Sequence, residues 1–401
     1  MSAVPSEPLA HRLANNPILT SADVAPSQAA LEVVSVFNAA VAQLGNETIL
    51  LLRVGECPRP MTGLLSATAR TLDLGSPHEA LQPLPLGTLG EDVIGVAYLD
   101  PAAEPQCVVV AYVRRDLPGL DLSDPRAVRV TMPPVVPGGR AEVRDYLTQI
   151  SHLRVARSTD GVHFVVDQLP AVVPIDTFEE YGCEDPRATL IDGVWHITYV
   201  SVASVGITTS RLTTTDFRAF ERRGLMFLPD HKDVALFPGR VRGRYVALTR
   251  PMPSSFNRVL GIWIAFSDDL VSWGGHRPLA LPRRGMWDSV RTGAGAVPFR
   301  VPEGWLELYH GVNSDGHYAM GALLLDAEDP VRVISRSPEP ILVATEEYEQ
   351  SGFYNNTVFS CGLVPLDDRG KRIRMYYGAA DCRMAAADFD VKAIVASLAP
   401  C

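Results

Sequence analysis

Ser158-Thr159-Asp160-Gly161-Val162-His163-Phe164 is echoed by Thr214-Thr215-Asp216-Phe217-Arg218-Ala219-Phe220 and by Ser267-Asp268-Asp269-Leu270-Val271-Ser272-Trp273. In each stretch Ser or Thr leads to an acidic residue (Asp160, Asp216, Asp269), and an aromatic follows it by four positions. The intervals between these acidic residues are 56 and 53 residues. A second element, a turn running into an aromatic-containing strand, recurs at Gly193–Tyr199, Gly243–Leu248, Gly304–Tyr309 and Lys371–Tyr377. Repeats of ~40–50 residues, each made of several short strands, mark a β-propeller. The 401-residue length fits four or five such units, and the spacing predicts five blades. The competing architecture is a pair of β-sandwiches with coincidental spacing.

Outward from the repeat, short apolar runs rich in Val, Ile and Tyr are punctuated by turn residues from about Glu47 to the C-terminus, so the chain reads as all-β. Two helices are expected, over Ala22–Ala42 and, more weakly, Ala386–Ser397. Proline-rich pieces (CPRPM, LQPLPLG, VTMPPVVPGG) break the rhythm between residues 57 and 146. They suggest an insertion that decorates one face of a single catalytic domain spanning 1–401, as a rim or an oligomer contact.

The balance of 46 Asp+Glu against 36 Lys+Arg (33 Arg, 3 Lys) gives a net charge of −10. Such a surface argues against binding nucleic acid or an anionic membrane, because those affinities come from clustered cations. Apolar runs such as Thr48–Leu52 and Val108–Val113 are strand-length, well short of the ~20 residues of a spanning helix. The start of the chain lacks the apolar core of a signal peptide. Six cysteines without C-x-x-C spacing read as free thiols in a reducing cytoplasm.

Four polar clusters abut the repeated strands: Glu184-Asp185-Pro186-Arg187, His231-Lys232-Asp233, Tyr309-His310-Gly311 and Tyr376-Tyr377-Gly378-Ala379-Ala380-Asp381. Neighbours on an extended chain face opposite ways, so one of Glu184 and Asp185 points into a given cleft. A carboxylic acid placed beside a glycosidic oxygen serves as a general acid. The plain alternative is a surface turn with a solvated ion pair. Lys232, a rare lysine, and Arg250, closing the next strand, suit an anion such as phosphate. The alternative there is a pair of rim charges partnered by Asp230 and Asp233.

The sequence resembles glycoside hydrolase family 130, the mannoside phosphorylases and related mannosidases, over nearly its whole length outside the insertion. The resemblance rests on Asn16–Thr20, Val36-Phe37-Asn38, His152–Gly161, Gly182–Arg187, Lys232–Pro238, Arg250-Pro251, Leu308–Gly311 and Tyr376–Asp381. It implies a five-bladed propeller with Asp185 as general acid, in some members acting through a sugar hydroxyl. It also implies phosphate held at positions like Lys232, Arg250 and Tyr309. Asn38 and Asp381 resemble ligands of the mannose subsite, with Arg53, Arg157, Glu184, Arg187, Asp233 and His310 as further candidates for the cleft. Ala39, Gly239 and Thr249 stand where relatives commonly carry Ser, Glu and His, which alters the surroundings of the phosphate site.

An inverting hydrolase needs a second carboxylate as base, whereas phosphate needs a cationic cradle. Lys232, Arg250 and Tyr309 together favour phosphorolysis of a β-mannoside to α-mannose 1-phosphate. A hydrolase using Glu347, Glu349 or Asp381 as base is the alternative, and a catalytically silent sugar-binding propeller is another. The expected partners are an oligosaccharide and inorganic phosphate as co-substrate, with no metal or organic cofactor and with homo-oligomers possible. The nine histidines show no H-x-x-x-H spacing.

Overall fold

The computed structural model describes residues 8–59, 93–100, 107–116, 119–124, 126–132, 141–252 and 259–401, together with residue 139 and the strand backbones Arg70–Asp73 and Ala80–Pro83. The fold is all-β. Among the described residues the α-helices are Glu347–Gln350 and Val391–Ala396, of four and six residues.

The strands run as successive antiparallel meanders. The first is Leu31–Leu44, Glu47–Pro58, Ile150–Ser158 and Val165–Val166. The second is Gly182–Ile191, Val194–Ala203, Gly206–Thr214 and Glu221–Phe227. The third is His231–Val241, Arg244–Pro251, Ile262–Ser267 and Gly274–Ala280. The fourth is built on Gly304–Val312, Tyr318–Leu325 and Val333–Arg336, and the fifth on Val358–Pro365, Arg372–Ala379 and Arg383–Asp390. His11–Arg12, from the N-terminal end of the chain, pairs with Asp388 and Ala387 and completes the fifth.

Five apolar clusters join them in a circle. Leu51, Leu153, Ile197 and Leu212 lie between the first and second meanders, and Ile191, Met226, Leu236 and Ala247 between the second and third. Phe237, Leu248, Trp305 and Leu323 lie between the third and fourth, and Leu308, Met320, Met375 and Phe389 between the fourth and fifth. Val36, Leu52, Tyr376 and Met384 return from the fifth to the first. Each sheet thus buries both faces against its neighbours, the arrangement of a β-propeller.

The sequence repeat is a turn between the third and fourth strands of a meander. Ser158 Oγ accepts the backbone N–H groups of Asp160 and Gly161, and Asp160 Oδ1 accepts those of Val162 and His163. Thr214 with Asp216, and Ser267 with Asp269, repeat the pattern. The Ser/Thr and Asp oxygens so satisfy donors that the turn takes out of the ladder.

A second repeat is internal. Tyr199 donates to buried Glu179 at 2.6 Å, which Arg222 also binds at 2.6 Å. Tyr309 donates to buried Asp288 at 2.7 Å, which Arg336 binds at 2.5 Å. Tyr377 donates to buried Glu349 at 2.7 Å, which Arg12 binds at 2.8 Å. The second, fourth and fifth meanders therefore share one Tyr–carboxylate–Arg latch.

The helix expected over Ala22–Ala42 does not form. A 3-10 turn at Ser21–Asp23, capped by Thr20, precedes the strand Leu31–Leu44. Residues 35–42 are buried on both faces, so their apolar run carries neither the two-residue nor the 3.6-residue period. The β-branched Val33, Val34, Val36 and Val41 and the Gly45-Asn46 turn settle it as a hairpin strand. Of Ala386–Ser397, the first five residues finish a strand, and the helix starts only after Asp390, whose side chain accepts the Ala393 N–H. Within residues 57–146, Val93–Asp100 pairs with Cys107–Arg114, and Ala127–Met132 with Glu142–Leu147. Most of the proline-rich pieces read in the sequence (residues 60–61, 84–87 and 133–138) lie outside the described residues.

Candidate active site

The first strands of the first three meanders carry the same irregularity. Their register slips between Phe37 and Ala40, between Glu184 and Arg187, and between Lys232 and Ala235. At each slip one Asx residue adopts left-handed backbone: Asn38 (φ 48°), Asp185 (φ 47°) and Asp233 (φ 55°). Asn and Asp tolerate that conformation better than other non-glycine residues, and a bulge re-aims the side chain it carries. Gly378 leaves room for this: a Cβ there would fall 2.2 Å from Asn38 Oδ1.

A cleft of about 410 Å³ opens over these bulges. All five meanders contribute to its lining: Asn38 and Arg53 from the first, Glu184 and Asp185 from the second, Lys232 from the third, Tyr318 from the fourth, Phe359 and Asp381 from the fifth. Asp121, Asp124 and Arg126, from the inserted stretch, line it too.

Asp185 is the most engaged group. Its Oδ1 accepts from Asn38 Nδ2 at 2.9 Å and from Arg53 Nη1 at 3.0 Å, and Lys232 Nζ stands 3.8 Å from Oδ2. Arg53 also binds Glu184 at 2.7 Å and lies over the Phe37 ring. Burial alone would raise the Asp185 pKa, but Arg53 and Lys232, with the Asn38 hydrogen bond, hold it below the usual carboxylate value. Asp381 is shifted the other way. Burial lifts it to about 6, Arg53 opposes the rise, and the charge of Asp185 adds to it.

Behind Asp185 lies a buried layer. Arg187 donates to the Asp185 carbonyl at 3.1 Å and to the carbonyls of Gly295 and Ala294 at 2.7 and 2.6 Å. Asp233 is flanked by Arg250 at 2.9 Å, His310 at 3.4 Å and Arg187 at 3.6 Å. Burial pushes His310 down to about 4, so it is neutral. Asp233 is held well below the ordinary value, because the Arg250 guanidinium beside it outweighs its burial.

Of the residues read from the sequence, Asn38, Arg53, Glu184, Asp185, Lys232 and Asp381 meet in the cleft. Arg187, Asp233, Arg250 and His310 support it from behind. Tyr309 does not join them. It faces the opposite side of its strand from His310, and its hydroxyl is taken up by Asp288 and Arg336 in the latch described above. Arg157 is likewise elsewhere, donating to the Phe217 carbonyl at 2.9 Å. Among the alternative bases, Glu349 is committed to Arg12 and Tyr377, and Glu347 sits exposed on the short helix. Asp381 alone of the three lines the cleft.

Tyr318, Tyr354, Phe359 and Arg126 line the cleft without having been read from the sequence. Arg126 lies over the Tyr354 ring and is paired with Asp124 at 2.7 Å. A signal for it existed: Asp124-Pro125-Arg126-Ala127 duplicates Asp185-Pro186-Arg187-Ala188. The aromatic residues carry no comparable pattern.

Comparison with known proteins points the same way. The family model described as beta-1,4-mannooligosaccharide phosphorylase matches residues 105–399. The chain is 36% identical over 388 residues to a beta-1,2-mannobiose phosphorylase of Listeria innocua, covering 97% of this chain and 98% of that one. It is 37% identical over 252 residues to a 1,2-beta-oligomannan phosphorylase of Thermoanaerobacter, covering 62% of this chain and 82% of that one. The Listeria innocua structure, solved with beta-1,2-mannobiose, superposes with a TM-score of 0.81 over 97% of this chain and 98% of that one. A cleft built on three Asx bulges, in a ring of meanders alike from end to end with that structure, places the chain in glycoside hydrolase family 130.

Proposed function

We propose that the protein catalyses the inverting phosphorolysis of β-mannosides, with β-1,2-linked manno-oligosaccharides as the substrate class. Asp185 is the general acid. A phosphate oxygen attacks the anomeric carbon, the glycosidic C–O bond breaks, and the Asp185 proton passes to the departing oxygen, directly or through a sugar hydroxyl. The products are α-mannose 1-phosphate and a sugar one unit shorter. The observation that carries this reading is the convergence of Arg53 and Lys232 on buried Asp185 in a cleft open to solvent. Phosphate is already a nucleophilic anion and asks for cations, not for a base. Lys232 and Arg53 border its space, with Arg250 behind them, where the sequence had pointed to Lys232, Arg250 and Tyr309. No cofactor enters the reaction. A cytoplasmic setting, where inorganic phosphate is at hand, suits it.

The test is product analysis on β-1,2-mannobiose with and without inorganic phosphate. We expect α-mannose 1-phosphate to appear only with phosphate. Mannose released at equal rates without it would overturn the reading in favour of hydrolysis.

A further inference from the structure

We propose a second carbohydrate-binding groove beside the cleft, one that holds a distal unit of a longer β-mannoside. The proposal rests on the phosphorolysis reading for its substrate class. The hairpin joining Val194–Ala203 to Gly206–Thr214 separates the two spaces. Val202 and Ile207 line the cleft, and Ser204, Val205 and Gly206 line a groove of about 910 Å³ on its far side. A chain leaving the cleft over this hairpin enters the groove.

The groove carries what a neutral polyhydroxyl ligand needs. Thr249 and Trp263 are cross-strand partners and both line it, so a hydroxyl stands beside an indole ring. Thr249 is fully buried and His231 is 7% exposed; among the described residues Thr249 Oγ1 and His231 Nδ1 have no hydrogen-bond partner. Buried polar atoms are normally paired, so these two, just beneath the groove, keep hydrogen-bonding capacity that a ligand's hydroxyl groups can take up. His231 is stacked on Phe227 at 4.2 Å, which fixes the plane of its ring. His276 and the carboxylate of Asp230 line it as well, with Pro229, Pro251, Met252 and Val259 as its apolar part. Asp230 disfavours an anion there, and the aromatic face with polar edges is the pattern that receives a pyranose ring.

The experiment compares phosphorolysis of β-1,2-linked manno-oligosaccharides of two to six units by the wild-type protein and Trp263→Ala. We expect the wild-type KM to fall as the chain lengthens. Trp263→Ala should raise KM for the hexasaccharide about tenfold and leave the mannobiose constants unchanged, which also shows the variant folded. An unchanged ratio of hexasaccharide to mannobiose KM would overturn the groove. If no β-mannoside is phosphorolysed by the wild type, the activity reading has failed separately. Calorimetry of the hexasaccharide with Asp185→Asn, alone and combined with Trp263→Ala, then still reads the groove. Weaker binding by about tenfold in the double variant supports it. Equal binding overturns it.

Discussion

As the proposed general acid Asp185 has to deliver a proton, yet in the free protein Arg53, Lys232 and Asn38 hold it as a carboxylate. The same cations resolve the conflict. In the proposed reaction, phosphate settling against Lys232 and Arg53 offsets their charge and places negative charge near Asp185, and both effects favour the protonated acid. An anion near a carboxyl raises its pKa, so on binding phosphate the wild-type protein should take up more protons than Asp185→Asn, over and above any that phosphate itself sheds beside the cations. Calorimetric titration of phosphate in buffers of different ionisation enthalpy reads the difference. Equal proton exchange in the two proteins would contradict this account. At this scale the sequence was informative wherever a residue's type is demanded by backbone. Asn38, Asp185 and Asp233 sit at positive φ, and Asx residues before or within conspicuous strands are the trace that leaves. It was silent on Tyr318 and Phe359, which reach the cleft by tertiary packing alone.

The strand Gly304–Val312 shows how one element serves two purposes. Alternate residues face opposite sides, so His310 supports Asp233 while Tyr309 locks its own meander through Asp288 and Arg336. Family likeness drew attention to Tyr309, but the latch recurs at Tyr199 and Tyr377, which explains why a tyrosine closes these strands. Tyr309→Phe should therefore keep the KM for phosphate within about twofold. It should lower stability by about 1–3 kcal/mol, because buried Asp288 loses a donor. Denaturant midpoints and phosphate kinetics on the same sample decide it. A large rise in the phosphate KM without loss of stability would return Tyr309 to the anion site. The strand Leu31–Leu44 marks the other limit of legibility. Its residues are buried on both faces by neighbouring meanders, so the period that identifies a strand is erased, and pairing with Glu47–Pro58 overrides the local pattern.

For the whole molecule the decisive contacts are the longest in sequence. Arg12 reaches Glu349, and Asn16 accepts from the Ala386 N–H across 370 residues. Arg12→Met should cost about 3 kcal/mol, since it leaves a buried carboxylate with Tyr377 and backbone donors but no cation. Equilibrium unfolding measures this directly, and a loss below about 0.5 kcal/mol would mean that Tyr377 suffices. The overall charge of −10 is no obstacle to an anionic co-substrate, because the few cations converging near Asp185 set the local field. The pairing of His11 and Arg12 with Asp388 and Ala387 also has a bearing on biosynthesis. On the ribosome, His11 and Arg12 emerge long before Ala387 and Asp388, with which they pair. Until those partners are made, the chain carries unpaired strand backbone, which makes the nascent protein a natural client for holding chaperones.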